Sequence, residues 1–500
     1  MKPLFFLFLS LMGSALGAEN ARPNIVWFII DDMSPNFACY GEKTIATPHL
    51  DRLAREGTRF AQAHVTAPVC SPCRSALVTG MYQTTIGAHH HRSGRGVEKI
   101  RLPAPVEPAP VLFQRAGYYT CIGDGLKGGK QGLGKTDYNF EWDRAMYDSA
   151  DWSGRKEGQP FFMQVQLAGG KLRGNTTGTA QRLSERAAKA FGAAVKPEEV
   201  TLPPYYPRDP VLLQDWAAFL DSVRLTDQHI GEVLARLEKE GQLENTVIAV
   251  MTDHGISHAR GKQFLYDEGT HVAFVLRGPG VAKGVVREDP VEANIDLPAV
   301  SLAAAGIGVP AWMQGRNVLA KDYEKRDAIF AARDRCDETV EGIRSVRTDR
   351  WKYIRNFYPD RPHLQPNVYK DGKDILKTLR SLHAAGQLPE LSERLLFAPT
   401  RSQEELYDLT ADPYETKNLA GDAAHRETLL KLRARLDDWM EKTKDQGRQA
   451  EPEKIYDSDM AARDPAGGAR APGEGKGAEN IALMKRWAVE RPMKVAVRER

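Results

Sequence analysis

The chain has 500 residues, with 69 lysines and arginines against 66 aspartates and glutamates and a formal net charge of +3. That balance excludes a global polyanion-binding surface, so neither nucleic acid nor an acidic membrane face is an expected partner, and any attraction for anions must be local. The length exceeds a thioredoxin-sized module and suffices for one large domain with a smaller companion.

Residues 1–17 read as a signal peptide: Lys2 precedes an apolar run from Leu4 to Met12, and Ala15 and Gly17 suit a signal peptidase. The run is too short to span a bilayer, and no later stretch approaches a span. The expected product is therefore exported, periplasmic or secreted, without integral membrane association. Five cysteines, at 39, 70, 73, 121 and 336, are an odd number for an oxidising compartment, which leaves at least one unpaired or chemically altered. Asn24–Ile30 is a short apolar run, read as a buried parallel strand ending at Asp31-Asp32. Thr47-Pro48 opens an amphipathic helix carrying Leu50, Leu53 and Ala54 on one face. Trp216 to Glu240 has apolar residues at helical spacing and stops at Gly241; a second buried strand, Thr246–Met251, then runs into Thr252-Asp253-His254-Gly255. Helices alternating with buried strands predict an α/β fold, a large sheet with helices on both faces over 22–325. A smaller antiparallel unit is predicted over 326–446, from a hairpin-like stretch at Arg344–Phe357, another strand and turn at Glu405–Leu419, and a helix with Leu429, Leu432, Leu436, Trp439 and Met440 as its stripe. Residues 447–500 are rich in Gly, Ala, Pro and charge, and read as a tail that is largely flexible.

Two stretches carry chemistry. Asp31, Asp32 and Asp253 are carboxylates predicted at strand ends, where the sheet's upper edge would bring them together. Like charges so confined require a cation, and an oxygen-rich set favours a hard one, with His254 as the odd ligand. Each pair alone could equally be a turn or helix-cap motif. The other stretch, Cys70-Ser71-Pro72-Cys73-Arg74 followed by Thr79-Gly80, has two readings: a CxxC redox dithiol, with Cys70 attacking and Cys73 resolving, or a CxPxR segment.

The second reading resembles the type I, formylglycine-dependent sulfatases of the alkaline-phosphatase-like superfamily. Matching segments run in order: Asn24 to Asp32, Thr47-Pro48-His49-Leu50-Asp51, Cys70 to Gly80, Gly134-Lys135, Thr252-Asp253-His254-Gly255, Gly261-Lys262, and Glu405–Leu409 with Asp412-Pro413. The resemblance implies a large alkaline-phosphatase-like domain plus a small C-terminal antiparallel sheet with a packed helix. It also implies hydrolysis of sulfate esters, or N-sulfates, on a sulfated polysaccharide or glycosaminoglycan fragment, with Arg347–Phe357 and Glu405–Leu419 pointing to the heparan N-sulfatase-like subgroup. Cys70 would be converted to formylglycine by a formylglycine-generating maturase. Its hydrate would attack sulfur, helped by one Ca²⁺ ion, with Mg²⁺ as the alternative, on Asp31, Asp32, residue 70, Asp253 and His254. Arg74 would hold residue 70, and Lys135 and Lys262 would contact sulfate.

Two family histidines are missing. Thr136-Asp137 stands where one follows the first lysine, and Gly169-Gly170-Lys171 where another follows a strand. The expected replacements are Asp137 as base, and Lys171 or one of His89, His90, His91, His258 and His271 as acid, with His89 the first choice. Cys73 is either a buried thiol filling a helix-facing position or a redox brake that pairs with Cys70. The alternatives are a phosphate or phosphonate ester hydrolase of the same superfamily, against which the convertible cysteine speaks, and a non-catalytic sulfated-sugar binder.

Overall fold

The structure, a computed structural model, describes residues 22–129, 132–463 and 476–497; the predicted signal peptide lies outside them. Among the described residues there are thirteen strands: β1 (Asn24–Ile30), β2 (Thr58–Phe60), β3 (Ala63–His64), β4 (Tyr119–Gly123), β5 (Phe161–Leu167), β6 (Thr246–Thr252), β7 (Phe274–Arg277), β8 (Val285–Arg287), β9 (Val291–Glu292), β10 (Ile329–Arg333), β11 (Ile343–Arg347), β12 (Trp351–Asn356) and β13 (Glu404–Asp408). Seven form one sheet in the order β4-β5-β1-β6-β7-β2-β8, four form a second in the order β10-β11-β12-β13, and β3 pairs with β9. The large sheet is mixed: β4, β5, β1 and β6 run parallel, while β7 is antiparallel to β6. The small sheet is antiparallel throughout.

The apolar run of β1 explains its central place. All seven residues are buried, and their alternation feeds two cores. Val26, Phe28 and Ile30 join Leu50, Leu53 and the inner stripe of the Pro210–Lys239 helix on one face. Ile25, Trp27 and Ile29 join Leu77, Val78 and Leu297 from the Cys70–Thr79 and Ala293–Ala304 helices on the other. The long helix starts before the predicted Trp216, because Asp209 caps the Val211 amide and Pro210 suits the first turn.

Register positions the site. Ile30 lies opposite Leu167 on β5 and Thr252 on β6, so three chain segments leave the sheet at one level and side by side. That carboxyl edge is where open parallel sheets bind ligands.

In the C-terminal part the Arg426–Lys442 helix packs its apolar stripe with Val346, Tyr353 and Leu406 of the small sheet, and Ala76, Tyr82 and Ile295 share that core. Between β12 and β13, Leu364, Ile375, Leu376, Leu379 and Leu396 pack into the main core. The chain thus returns to the large domain after entering the small one. The predicted flexible tail is corrected by two helices, Glu453–Arg463 and Lys476–Glu490. Tyr456, Met460, Met484 and Trp487 form a small core there, and buried Arg335 pairs with Glu451 at 2.7 Å and Asp459 at 2.6 Å. Four well-spaced apolar residues and one ion-pair anchor order a segment whose overall composition reads as solvated. Among the described residues, no helix is long and apolar enough to cross a membrane.

Candidate active site

Asp31 and Asp32 follow β1 directly, and Asp253 and His254 follow β6. The Asp253 amide donates to Ile30 O (2.8 Å), and the Met33 amide donates to His254 O (3.1 Å). Asp32 adopts a left-handed backbone, with φ +52°, and its amide donates to Asp253 Oδ1 at 3.1 Å. The two strand ends are thereby laced together, with both pairs of side chains buried.

Cys70 is the first residue of a wholly buried helix that ends at left-handed Gly80. Its Sγ lies 3.3 Å from His254 Nε2, 3.1 Å from Lys262 Nζ, 3.6 Å from Lys171 Nζ, 3.7 Å from Asp31 Oδ1 and 4.0 Å from Asp32 Oδ1. Burial alone would push this thiol up, but Lys135, Lys171 and Lys262 hold it well below the usual range. The position thus stabilises negative charge.

Each expected cation takes a place around it. Lys262 sits 2.8 Å from Asp32 Oδ1; Lys135 and Lys171 each lie 2.8 Å from Asp31 Oδ2. Arg74 is 2% exposed and reaches Asp253 Oδ2 from Nη2 (3.0 Å) and Nε (3.2 Å), with Nη1 donating to Gln166. Burial opposes ionisation of Asp31 and Asp32, yet Lys135, Arg74 and Lys171 around the first, and Lys171 and Lys262 around the second, hold both well below the carboxylate range. Burial, and then the Asp31 charge, push Asp253 up.

Donor atoms of Asp31, Asp32, Cys70 and His254 lie within 4.8 Å of one another, all buried. Asp253 Oδ1 is 3.4 Å from His254 Nε2, so the fifth expected ligand adjoins the group. Three crowded carboxylates, one of them resisting ionisation, form a donor set that fits a hard divalent cation.

The missing imidazoles resolve differently from expectation. His89 faces a separate cavity of about 670 Å³, lined also by Ile86, Arg101, Asp445 and Arg448. Burial pushes it down to about 4, Arg344 adding to the effect. Of the three adjacent histidines it is His91, two residues on, that approaches Cys70: one of its ring nitrogens, Cys70 Sγ and an Asp137 carboxylate oxygen lie within 4.8 Å of one another. His258 is held by Asp215 at 2.7 Å against Trp216 and Tyr206, and His271 lies against the Ala61 carbonyl at 2.9 Å. Asp137 pairs with Arg95 and, at 3.6 Å, with Lys135. Burial favours its protonation, but Lys135, His91 and Arg95 hold it well below the carboxylate range, which makes it a weak base. Burial would depress Lys171, but Asp32 and Cys70 raise it, so it is a firm ammonium.

Sequence reasoning missed two contributors. Tyr369, from the part of the chain that returns to the main core, donates to Asp32 Oδ2 at 3.1 Å and lies under Lys262. Gln166 on β5 receives Arg74. Neither belongs to a recognisable motif. Cys73 is wholly buried in the apolar core beneath the sheet, and burial pushes its thiol well up. Both features speak for the space-filling reading and against a resolving thiol.

A cleft of about 780 Å³ opens beside the cluster, lined by Asp31, Arg74, Lys135, Lys171, Arg186 and His229. Cationic walls and a mouth of that size suit an anionic sugar.

The sulfatase family model matches residues 23–307, and a model described as N-sulphoglucosamine sulphohydrolase, C-terminal, matches 254–395. An ulvan-active sulfatase of Formosa agariphila is 32% identical over 474 residues, covering 87% of this chain and 77% of that protein. The human N-sulphoglucosamine sulphohydrolase is 28% identical, covering 86% and 92%. Among solved structures, a 2-O GAG sulfatase superposes with a TM-score of 0.61 at 20% identity, over 87% of this chain and 98% of that one.

Proposed function

Because the chain belongs to the sulfatase family and is a sulfuric ester hydrolase, we propose that it removes sulfate from a sulfated polysaccharide or glycosaminoglycan fragment, through residue 70 converted to formylglycine. The observation that carries this reading is the environment of Cys70: a buried helix start ringed by Lys135, Lys171 and Lys262, and backed by three carboxylates. Relatives acting on ulvan and on N-sulphoglucosamine favour a sulfated sugar, with either an O-sulfate or an N-sulfate as the bond cut.

Asp31, Asp32, Asp253 and His254, with residue 70, would hold a divalent cation, calcium before magnesium. When bound it would lower the pKa of the attacking hydroxyl and polarise the sulfate oxygens. Arg74 locks Asp253 and neutralises it, so the carboxylates keep their spacing through the reaction. Lys262, nearly buried beside both Asp32 and residue 70, is placed to meet negative charge developing on sulfate, and in a water-poor site such a donor acts strongly. Lys135 and Lys171 line the cleft and orient the substrate anion. The charges of Lys135, Lys171 and Lys262 favour an anion at residue 70.

Export with a formylglycine-generating maturase as partner completes the proposal. The test is co-expression with such a maturase, confirmation of the Cys70 mass change, and measurement of sulfate release from sulfated mono-, di- and polysaccharides. Cys70→Ala is expected to abolish release; undiminished release would overturn the mechanism.

A further inference from the structure

Near residue 70, one side chain is built like a proton-transfer group and is absent from every matched motif. His91 lies on the loop after the Cys70–Thr79 helix, and that loop is stapled in place: the His91 amide donates to Arg335 O (2.8 Å), and the Arg92 amide donates to Ser71 Oγ (2.8 Å). Asn139 Nδ2 fixes the same loop by donating to the Ala88 and His90 carbonyls. Arg92 adopts φ +56°, a left-handed conformation that a non-glycine residue takes when its surroundings impose it. The loop therefore presents His91 to the start of the catalytic helix in one fixed pose.

The two ring nitrogens have different surroundings. Nδ1 lies 3.2 Å from Asp337 Oδ1 and 3.6 Å from Cys336 Sγ; burial opposes a charge on the ring, but these two groups raise its proton affinity well above that of an ordinary histidine. Nε2 is buried without a hydrogen-bond partner in a residue only 5% exposed. A buried polar atom left unpaired is costly, and a substrate or reacting group that supplies the partner removes that cost. The other members of the cluster are committed: Lys135, Lys171 and Lys262 are ammoniums on carboxylates, and Asp137 is paired with Arg95 and Lys135.

We propose that His91, anchored by Asp337, is the base that frees sulfate from residue 70; this rests on the sulfatase reading above. After sulfuryl transfer the side-chain carbon of residue 70 carries one hydroxyl and one O-sulfate. Nε2 accepts the hydroxyl proton, and the O–H electron pair becomes the second bond of a carbonyl. The carbon–oxygen bond to sulfate breaks with its electrons on sulfate. The products are the aldehyde, sulfate and imidazolium, which yields its proton to entering water. No oxidant or reductant takes part.

The test compares wild type, H91N and D337N after co-expression with the maturase, on a sulfated substrate that the wild type cleaves. Asparagine keeps a donor near the Nδ1 position for Asp337 and removes Nε2. H91N is expected to lose about 10²–10⁴-fold in kcat, the usual worth of a positioned base, with KM within about threefold. Intact-protein mass spectrometry under substrate should find residue 70 of H91N carrying a sulfuryl group. D337N should show a smaller loss with the same trapped species, and it carries the test if H91N does not fold. Turnover of H91N within threefold of wild type would overturn the assignment, as would slow turnover without sulfated residue 70, which places His91 at another step. A converted wild type that neither releases sulfate nor becomes sulfated on any substrate would instead sink the hydrolase reading, and this assignment with it.

Discussion

Arg74→Met tests the electrostatic frame of the site independently of turnover. Methionine keeps much of the volume, so the change removes charge more than packing. Arg74 reaches Asp253 at 3.0 and 3.2 Å, and among the described residues Asp253 has one other ion-pair neighbour, His254. At an effective dielectric near 20, unit charges about 3 Å apart attract by about 5 kcal/mol. Relief of the guanidinium's own desolvation offsets part of this, and removing one partner of a buried pair typically costs about 3–5 kcal/mol, because the other charge remains buried. R74M should therefore lose about 3–5 kcal/mol, and R74M/D253N should recover more than half of it. The assay is urea unfolding of the four proteins of this cycle, read by tryptophan fluorescence on the unconverted thiol forms in chelator. Excess calcium should shrink the R74M deficit, because a cation on the same carboxylates takes over the guanidinium's role. A deficit below about 1 kcal/mol, or a double variant no more stable than R74M, would refute the reasoning.

Lys262→Met removes an ammonium 3.1 Å from residue 70, and kcat for sulfate release is expected to fall about 10²–10³-fold with the fold retained, as for loss of one preorganised charge donor. His258 supplies a pH signature. Burial lowers it from 6.5 to about 4, with Arg173 balancing the Asp215 charge beside it. The unfolded chain therefore binds the proton first as pH falls, and stability is lost between pH 6.5 and 4. From pH 7 to 4 the wild type should lose about 3 kcal/mol more than His258→Asn in urea midpoints, and parallel curves would contradict this. Cys73→Ser should give the same formylglycine yield as wild type by peptide mass spectrometry; a higher yield would reinstate the redox brake.

The main sheet was legible because its central strands are fully buried and therefore written as unbroken apolar runs, Asn24–Ile30 and Thr246–Thr252. Asp31, Asp32, Asp253, Cys70 and Lys262 were legible for a related reason: each stands directly at a strand or helix terminus or beside a glycine, where local pattern and position coincide, while Arg74 was legible from its fixed offset from Cys70. His91 was harder to choose. Three consecutive histidines on an irregular loop have no periodicity, and only the staples to Arg335 and Ser71 select the one that turns inward. Tyr369 had no local signal at all, since its place under Lys262 depends on a stretch that leaves the small sheet and packs on the main core. The helices after residue 452 were missed because composition averages over a segment, whereas Tyr456, Met460, Met484 and Trp487 act as four individual anchors.

The burial of Cys70 also sets a timetable. In the finished fold the residue is 3% exposed, behind His254, Lys262 and the His91 loop. A modifying enzyme needs a pliable stretch of chain around its target, and here that exists only before closure. Closure waits on distant partners: β1 pairs with strands whose first residues lie 137 and 222 positions downstream. At a synthesis rate of roughly 5–20 residues per second, roughly 10–40 s separates the emergence of β1 from that of β6. For the proposed conversion of residue 70, its early place in the chain and the late place of what covers it would open an interval, and variants that shorten it by early collapse would then yield folded but unconverted protein.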